Sequence, residues 1–216
     1  LQQPPIIRST MQLAVQLFFL ALFVVTVAQG APQVWLLVFA AGLLLAFFRG
    51  RFYCSWVCPM NTLLQPIARL ERRIKPWRRR IPQALRQPGL FVIVLTLMVL
   101  ISRVSGGVIP PLAAAVLMAV AFSLFFQERF WHRYLCPYGA LLSLPGRWAV
   151  RSLRVDWDAC SGCGVCQRVC PTETIFSDRE GKRAIDSSHC LQCFRCHEVC
   201  PTQAIGYRSV KADAAA

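Results

Sequence analysis

Residues 160–171 read CSGCGVCQRVCP, and residues 190–201 read CLQCFRCHEVCP, the same cysteine pattern thirty positions later. Each run spaces its thiols Cys-x2-Cys-x2-Cys-x3-Cys-Pro. Two-residue spacers wrap the chain so that three thiolates can meet three corners of one iron–sulfur cubane. Zinc favours separated Cys-x2-Cys pairs, and disulfides belong to oxidising compartments. Eleven cysteines, an odd number in short regular spacings, therefore read as metal ligands and not as a disulfide framework.

The runs are those of a two-cluster bacterial ferredoxin, in which the fourth cysteine of each run ligates the other cluster. Cluster one, a [4Fe-4S] group, is expected on Cys160, Cys163, Cys166 and Cys200. Cluster two is expected on Cys190, Cys193, Cys196 and Cys170. Pro171 and Pro201 turn the chain away after each crossing ligand. Gly162 and Gly164 let backbone N–H groups approach the sulfurs. His189 and His197 flank cysteines of the second run and are read as exposed residues of a small domain, with ligation or proton shuttling as the rival reading.

Upstream of these runs the chain changes character. The protein has 216 residues, is 56% hydrophobic and only 16% charged, and has a mean hydropathy of +0.46. Soluble domains carry about 25% charged residues. Disorder and an ordinary soluble enzyme are both excluded. Apolar blocks at 11–28, 32–48, 88–103 and 107–126 read as four membrane helices in two hairpins. A signal peptide ending near Gly30 is the rival reading of the first block, whose apolar core exceeds the usual signal length.

The net charge of +14 is concentrated. Residues 49–87 carry net +9 and residues 127–216 net +3. A basic segment between apolar blocks fits positive-inside topology better than nucleic-acid binding, and no nucleic-acid partner is expected. Segment 49–87, the tail from 127 and both termini are expected in the cytoplasm of a bacterium, with the protein multi-pass in the inner membrane. Leu63, Leu64, Ile67, Leu70, Ile74 and Trp77 recur at helical spacing, as in a helix lying on the inner membrane surface.

The membrane part contains its own repeat. Residues 51–64 (RFYCSWVCPMNTLL) match residues 129–142 (RFWHRYLCPYGALL) at an offset of 78, pairing Arg51 with Arg129 and Cys58 with Cys136. Duplication places functional groups where the halves meet. Cys54 and Cys58 have i, i+4 spacing, so both thiols are expected on one helical face. His132 takes the place of Cys54 in the second copy. Convergence of Cys54, Cys58, His132 and Cys136 would suit a third metal or iron–sulfur centre. A Cys54–Cys58 redox pair and purely structural residues are the alternatives. The expected organisation is thus an α-helical membrane domain over 1–150, an α+β two-cluster ferredoxin domain over 151–210 and a tail over 211–216.

Taken together, the two ferredoxin runs, Cys54-Ser-Trp-Val-Cys58-Pro59 and Tyr134-Leu135-Cys136-Pro137 resemble the NapH/MauN/NosR-type membrane-bound ferredoxins. The resemblance covers nearly the whole chain. It implies four membrane helices, two Cys-x3-Cys-Pro motifs on the inner side, and an electron-transfer subunit of the quinol dehydrogenase type. Such a subunit relays electrons between the quinone pool and a partner redox chain, with periplasmic ferredoxin or cytochrome partners in a hetero-complex. His132 departs from the pattern, which usually has cysteine there. The C-terminal part of a NosR-like flavin and iron–sulfur donor is a related reading.

All three histidines lie outside the apolar blocks, so no haem b ligated within them is expected. A copper reductase or assembly factor of the CcoG-like type shares both motif types, and soft thiolates suit Cu(I). The short tail after Gly206 counts against that reading. A non-redox anchor docking a partner is disfavoured by eight intact ligand positions.

Overall fold

The computed structural model describes residues 5–74, 87, 89–107, 109–126 and 128–209. Two helical repeats come first. Repeat one contains α1 (Pro5–Ala28), α2 (Gln33–Arg49), the short α3 (Phe52–Trp56) and α4 (Pro59–Ile74). Repeat two contains α5 (Leu90–Val104), α6 (Pro111–Phe125) and α7 (Glu128–Phe130). It continues through a π-helical turn (Trp131–Leu135) into α8 (Pro137–Gly146). The helix boundaries have local causes. Gly30 takes φ +67° between α1 and α2, a left-handed turn that costs glycine little. Pro110 is extended and Pro111 opens α6, where a missing N–H is not needed.

The repeats interlock. In repeat one, α4 packs on α1 and on α6; in repeat two, α8 packs on α5 and on α2. These contacts are equivalent under exchange of the two halves. The duplication seen at an offset of 78 is therefore a pseudo-twofold relation in space. Trp35, Ala46, Leu64, Met98, Ala115, Ala119 and Leu142 form the shared core. The outer faces carry exposed Leu36, Leu37, Phe48, Ile93, Leu117 and Leu124.

Helices thus occupy all four apolar blocks, but their lengths differ. Thr10–Ala28 is the helix long and apolar enough to cross a bilayer among the described residues. The helices Gln33–Arg49, Leu90–Val104 and Pro111–Phe125 have 17, 15 and 15 residues. At 1.5 Å per residue they fall short of a hydrocarbon core of about 30 Å. Of the expected surface helix, α4 covers residues through Ile74, burying Leu64 and Ala68; Trp77 lies outside the described residues, as do the tail 211–216 and residues 1–4.

The ferredoxin domain follows as β1 (Arg151–Val155), α9 (Val165–Val169), β2 (Ile175–Ser177), β3 (Arg183–Ile185), α10 (Arg195–Glu198) and β4 (Ile205–Ser209). β1 pairs antiparallel with β4, from Arg151 opposite Ser209 to Val155 opposite Ile205. β2 pairs antiparallel with β3. Leu153, Ile175, Ile185, Phe194 and Ile205 close the core around the cysteines. The thirty-residue repeat is reproduced in the backbone. Positive φ occurs at Gly162 and Gln192, at Gly164 and Phe194, and at Glu173 and Gln203. The second run accepts a left-handed Gln192 and Phe194 where the first has glycine, at about 1–2 kcal/mol each.

Candidate iron-sulfur site

Two small cavities sit inside the ferredoxin domain. Cys160, Cys163, Cys166 and Cys200 line the first. Cys170, Cys190, Cys193 and Cys196 line the second. The structure therefore gathers the cysteines in the two crossed sets that the sequence spacing predicts. Among the described residues, no three His, Cys, Asp or Glu side chains stand close enough to hold a single metal ion. Four thiols around a shared cavity are the donor set a cubane takes, with one cysteine to each corner.

The cavities differ in surroundings. Cys163 is exposed, and Cys160 and Cys200 are partly so. The backbone N–H of Val165, then the Ser161 hydroxyl, holds the Cys163 thiol below its usual range. Around the second cavity Cys170, Cys190 and Cys196 are buried, and burial pushes the Cys190 and Cys196 thiols upward. Thr174 Oγ1 lies 3.3 Å from Cys170 Sγ. The first site faces water and the second faces the helical unit.

That second site is fastened to the helices. The loop Cys190–Cys193 inserts Leu191, only 2% exposed, into the core of the helical unit, where Cys193 also packs. Arg51, itself 1% exposed, donates from Nη1 to the carbonyl of His189 at 3.1 Å. Its repeat partner Arg129 donates to the carbonyl of Arg168, two residues before Cys170. The Ser55 hydroxyl donates to the carbonyl of Gln192 at 3.2 Å. Gln192 Oε1 in turn accepts from the Leu153 N–H at 3.2 Å, and its Nε2 donates to Ser152 at 3.0 Å. These bonds explain why a left-handed glutamine is kept at this position.

His189 and His197 are half-buried, correcting the expectation that they are exposed. His189 Nδ1 lies 2.8 Å from Asp186, and His197 Nδ1 lies 2.5 Å from the carbonyl of Ile205. Both rings hold loops in place. Asp186 is acidified: burial opposes this, but hydrogen bonds from His189 and Ser188 and the charge of Arg133 outweigh it.

The thiols at the end of the helical unit depart from the expected geometry. Cys54 lies within α3, whereas Cys58 follows its end, its N–H bonded to the carbonyl of Tyr53 at 3.0 Å. The pair does not share one helical face. Pro59 is the cause, because a residue before proline is pushed out of the α region. Cys58 instead precedes α4, and Cys136 caps α8, with Gly139 N–H donating to its sulfur at 3.4 Å. Besides burial, Cys54 and Cys136 raise the pKa of Cys58, and Cys54 raises that of Cys136. Burial pushes Cys136 up to about 12. His132 is buried and, through burial and then Arg51 and Arg195, lowered to about 3. Arg195 also approaches the buried Glu128 at 3.9 Å.

Comparison with known proteins gives the same picture. A family described as "4Fe-4S binding domain" matches twice, at residues 31–80 and 108–156, and a "4Fe-4S dicluster domain" matches residues 152–201. Each of the two matches covers the second long helix and the cysteine motif of one helical repeat. The ferredoxin-type protein NapH of Haemophilus influenzae is 30% identical over 179 residues, covering 72% of this chain and 61% of the relative. The methylamine utilization ferredoxin-type protein MauN of Paracoccus denitrificans is 29% identical over 152 residues, covering 62% of this chain and 53% of the relative.

The chain belongs to the NapH/MauN/NosR-type ferredoxin family.

Its matched regions are iron–sulfur ones, two 4Fe-4S binding domains and a 4Fe-4S dicluster domain. The regulatory protein NosR of Pseudomonas aeruginosa is 26% identical, with 65% of this chain matching 22% of that larger protein. The chain spans a little over half the length of its NapH and MauN relatives. The docking residues Arg51, Ser55, Gln192, Glu128 and Arg195 have no counterpart in the sequence reading as site residues. The one available signal was the pairing of Arg51 with Arg129 in the repeat.

Proposed function

We propose that this protein is a membrane-anchored iron–sulfur subunit that relays electrons between the quinone pool and a partner redox chain. The observation that carries the reading is the line of sites: thiols at the end of the helical unit, then the buried second cavity fastened beside them, then the water-facing first cavity. A carrier between an apolar phase and a soluble partner needs one end of its path in each.

In this reading Cys160, Cys163, Cys166 and Cys200 hold one [4Fe-4S] cluster, and Cys190, Cys193, Cys196 and Cys170 hold the other. Such clusters supply one-electron storage at nearly constant geometry. The chain supplies the rest. Gly162, Gly164 and their left-handed counterparts let backbone N–H groups face the sulfurs. Arg51 and Arg129 clamp the second site from opposite repeats, and Leu191 keeps water from its inner side. The exposed rim at Cys163 offers a docking point for a soluble redox partner within a hetero-complex.

The exposed leucines and phenylalanines on the helix surfaces support a bilayer setting. Helices α1, α2, α5 and α6 then form four spans, the shorter ones met by local thinning and by flanking residues. The positive-inside rule puts the ferredoxin domain and both termini in the cytoplasm. Cys54, Cys58 and Cys136, with His132 of the second repeat, form a third redox position. Thiolate donors suit an iron–sulfur group there.

The test is anaerobic reconstitution in liposomes followed by addition of a short-chain quinol or quinone. The visible absorbance of the clusters bleaches with quinol, or recovers in dithionite-reduced protein with quinone. Clusters that respond to dithionite and ferricyanide but to neither quinone form would refute the relay.

A further inference from the structure

A third cavity, ≈ 460 Å³ in volume, opens where α8 and the π-helical turn meet the loop before Cys190. Arg51, Arg133, Arg147 and His189 line its polar side, and Leu141 and Leu144 line its mouth. Arg133 meets Asp186 at 3.4 Å, and among the described residues lining the cavity there is no Asp or Glu. Arg51 Nε is buried there without a hydrogen-bond partner. Leu141 and Leu144 are 44% and 51% exposed, and the apolar surface continues to Trp148, stacked on Phe47 at 6.4 Å.

The geometry points to a binding site for the phosphate of an anionic phospholipid. Arg133 and Arg147 hold the headgroup, with Arg51 as the charge behind it, and the acyl chains run out along Leu141 and Leu144. The inference rests on the membrane setting proposed above. Guanidinium forks match phosphate oxygens two at a time, and basic pockets beside membrane helices on the cytoplasmic side take anionic headgroups. A neutral headgroup would leave the excess positive charge uncompensated. A free phosphate would leave the two leucines without a partner. Because His189 belongs to the ferredoxin and Arg133 and Arg147 to the helical unit, a bound headgroup also bridges the two halves beside the second cluster site.

Native mass spectrometry of the detergent-purified holoprotein tests this. The probes are phosphatidylglycerol, phosphatidylcholine of the same chains, inorganic phosphate and a short-chain quinone. One phosphatidylglycerol is expected to be retained about tenfold more tightly than phosphatidylcholine. Arg147→Gln, at an exposed position, and the double variant Arg133→Gln/Arg147→Gln are expected to erase the preference. Arg103→Gln at the far end of α5 keeps it. Equal retention of both lipids overturns the site. So does displacement of phosphatidylglycerol by inorganic phosphate, which marks a free-anion site, or by the quinone, which marks a quinone site. Fractionation with washed membranes is scored separately. Protein that is in the membrane yet shows no lipid preference overturns this site alone, and protein recovered as soluble overturns the membrane setting as well.

Discussion

Arg51, in the turn between α2 and α3, donates its Nη1 hydrogen to the carbonyl of His189, 138 residues away, at 3.1 Å. The acceptor immediately precedes Cys190. Arg129, at the same place in the second helical repeat, reaches the carbonyl two residues before Cys170. Two arginines related by duplication therefore grip the chain beside two thiols of one cavity. The ferredoxin is not tethered by a linker; its second site is built against the helices.

Arg51→Gln removes a charge-assisted bond from a buried carbonyl. Hydrogen bonds to charged groups contribute about 1.5–3 kcal/mol, so the 189–193 loop loses protection of that order. Hydrogen–deuterium exchange in detergent reads this directly, with faster exchange in the peptide containing Cys190 and unchanged exchange around Cys163. Equal rates in wild type and variant would contradict the clamp.

The unequal burial of the two cavities predicts an order of metal loss. Cys163 is exposed, whereas Cys170, Cys190 and Cys196 are buried. A water-soluble iron chelator is expected to strip iron in two phases, the fast one about half the ferredoxin iron. Cys163→Ser should abolish the fast phase and leave the slow one. A single phase would contradict the asymmetry.

Packing near the membrane-edge thiols gives a third expectation. A Cβ built on Gly42 would stand 2.5 Å from Tyr53 Cδ2 and 2.9 Å from Cγ. Gly42→Ala therefore displaces the Tyr53 ring, beside Cys54, at about 1–3 kcal/mol of overpacking. Gly89→Ala, with nothing within 4 Å, is the control. Thermal unfolding in detergent should fall for the first and stay level for the second; a Gly42→Ala protein as stable as wild type would contradict the packing.

Much of this architecture was legible in the sequence because its signals are local. Two-residue cysteine spacers set which thiols meet, the thirty-residue offset sets the fold of each half, and the apolar blocks set the helices. Cys54 and Cys58 do not share the helical face that i, i+4 spacing predicts, because Pro59 outweighs that periodicity: the residue before proline leaves the helix and becomes the start of the next. Cys136-Pro137 repeats that outcome. The docking of the ferredoxin was invisible, since Ser55 and Gln192 or Arg51 and His189 lie 137 and 138 residues apart. Side chain to carbonyl bonds across such separations leave no mark in composition or period. Gln192 shows the same thing in its backbone. Its left-handed conformation sits where the first run has Gly162, and only the bonds to Leu153 and Ser152 account for it.

Iron and acid-labile sulfide per chain, measured on anaerobically purified protein with EPR of the reduced sample, count the clusters. Two ferredoxin clusters account for about eight irons. With a third iron–sulfur position at Cys54, Cys58, His132 and Cys136, wild type should exceed about eight and fall to about eight in Cys58→Ser and in Cys136→Ser. Wild type at about eight, unchanged in those variants, would remove the third position and leave the two-cluster carrier. Iron near zero, with no iron–sulfur EPR signal after reduction, would contradict the account.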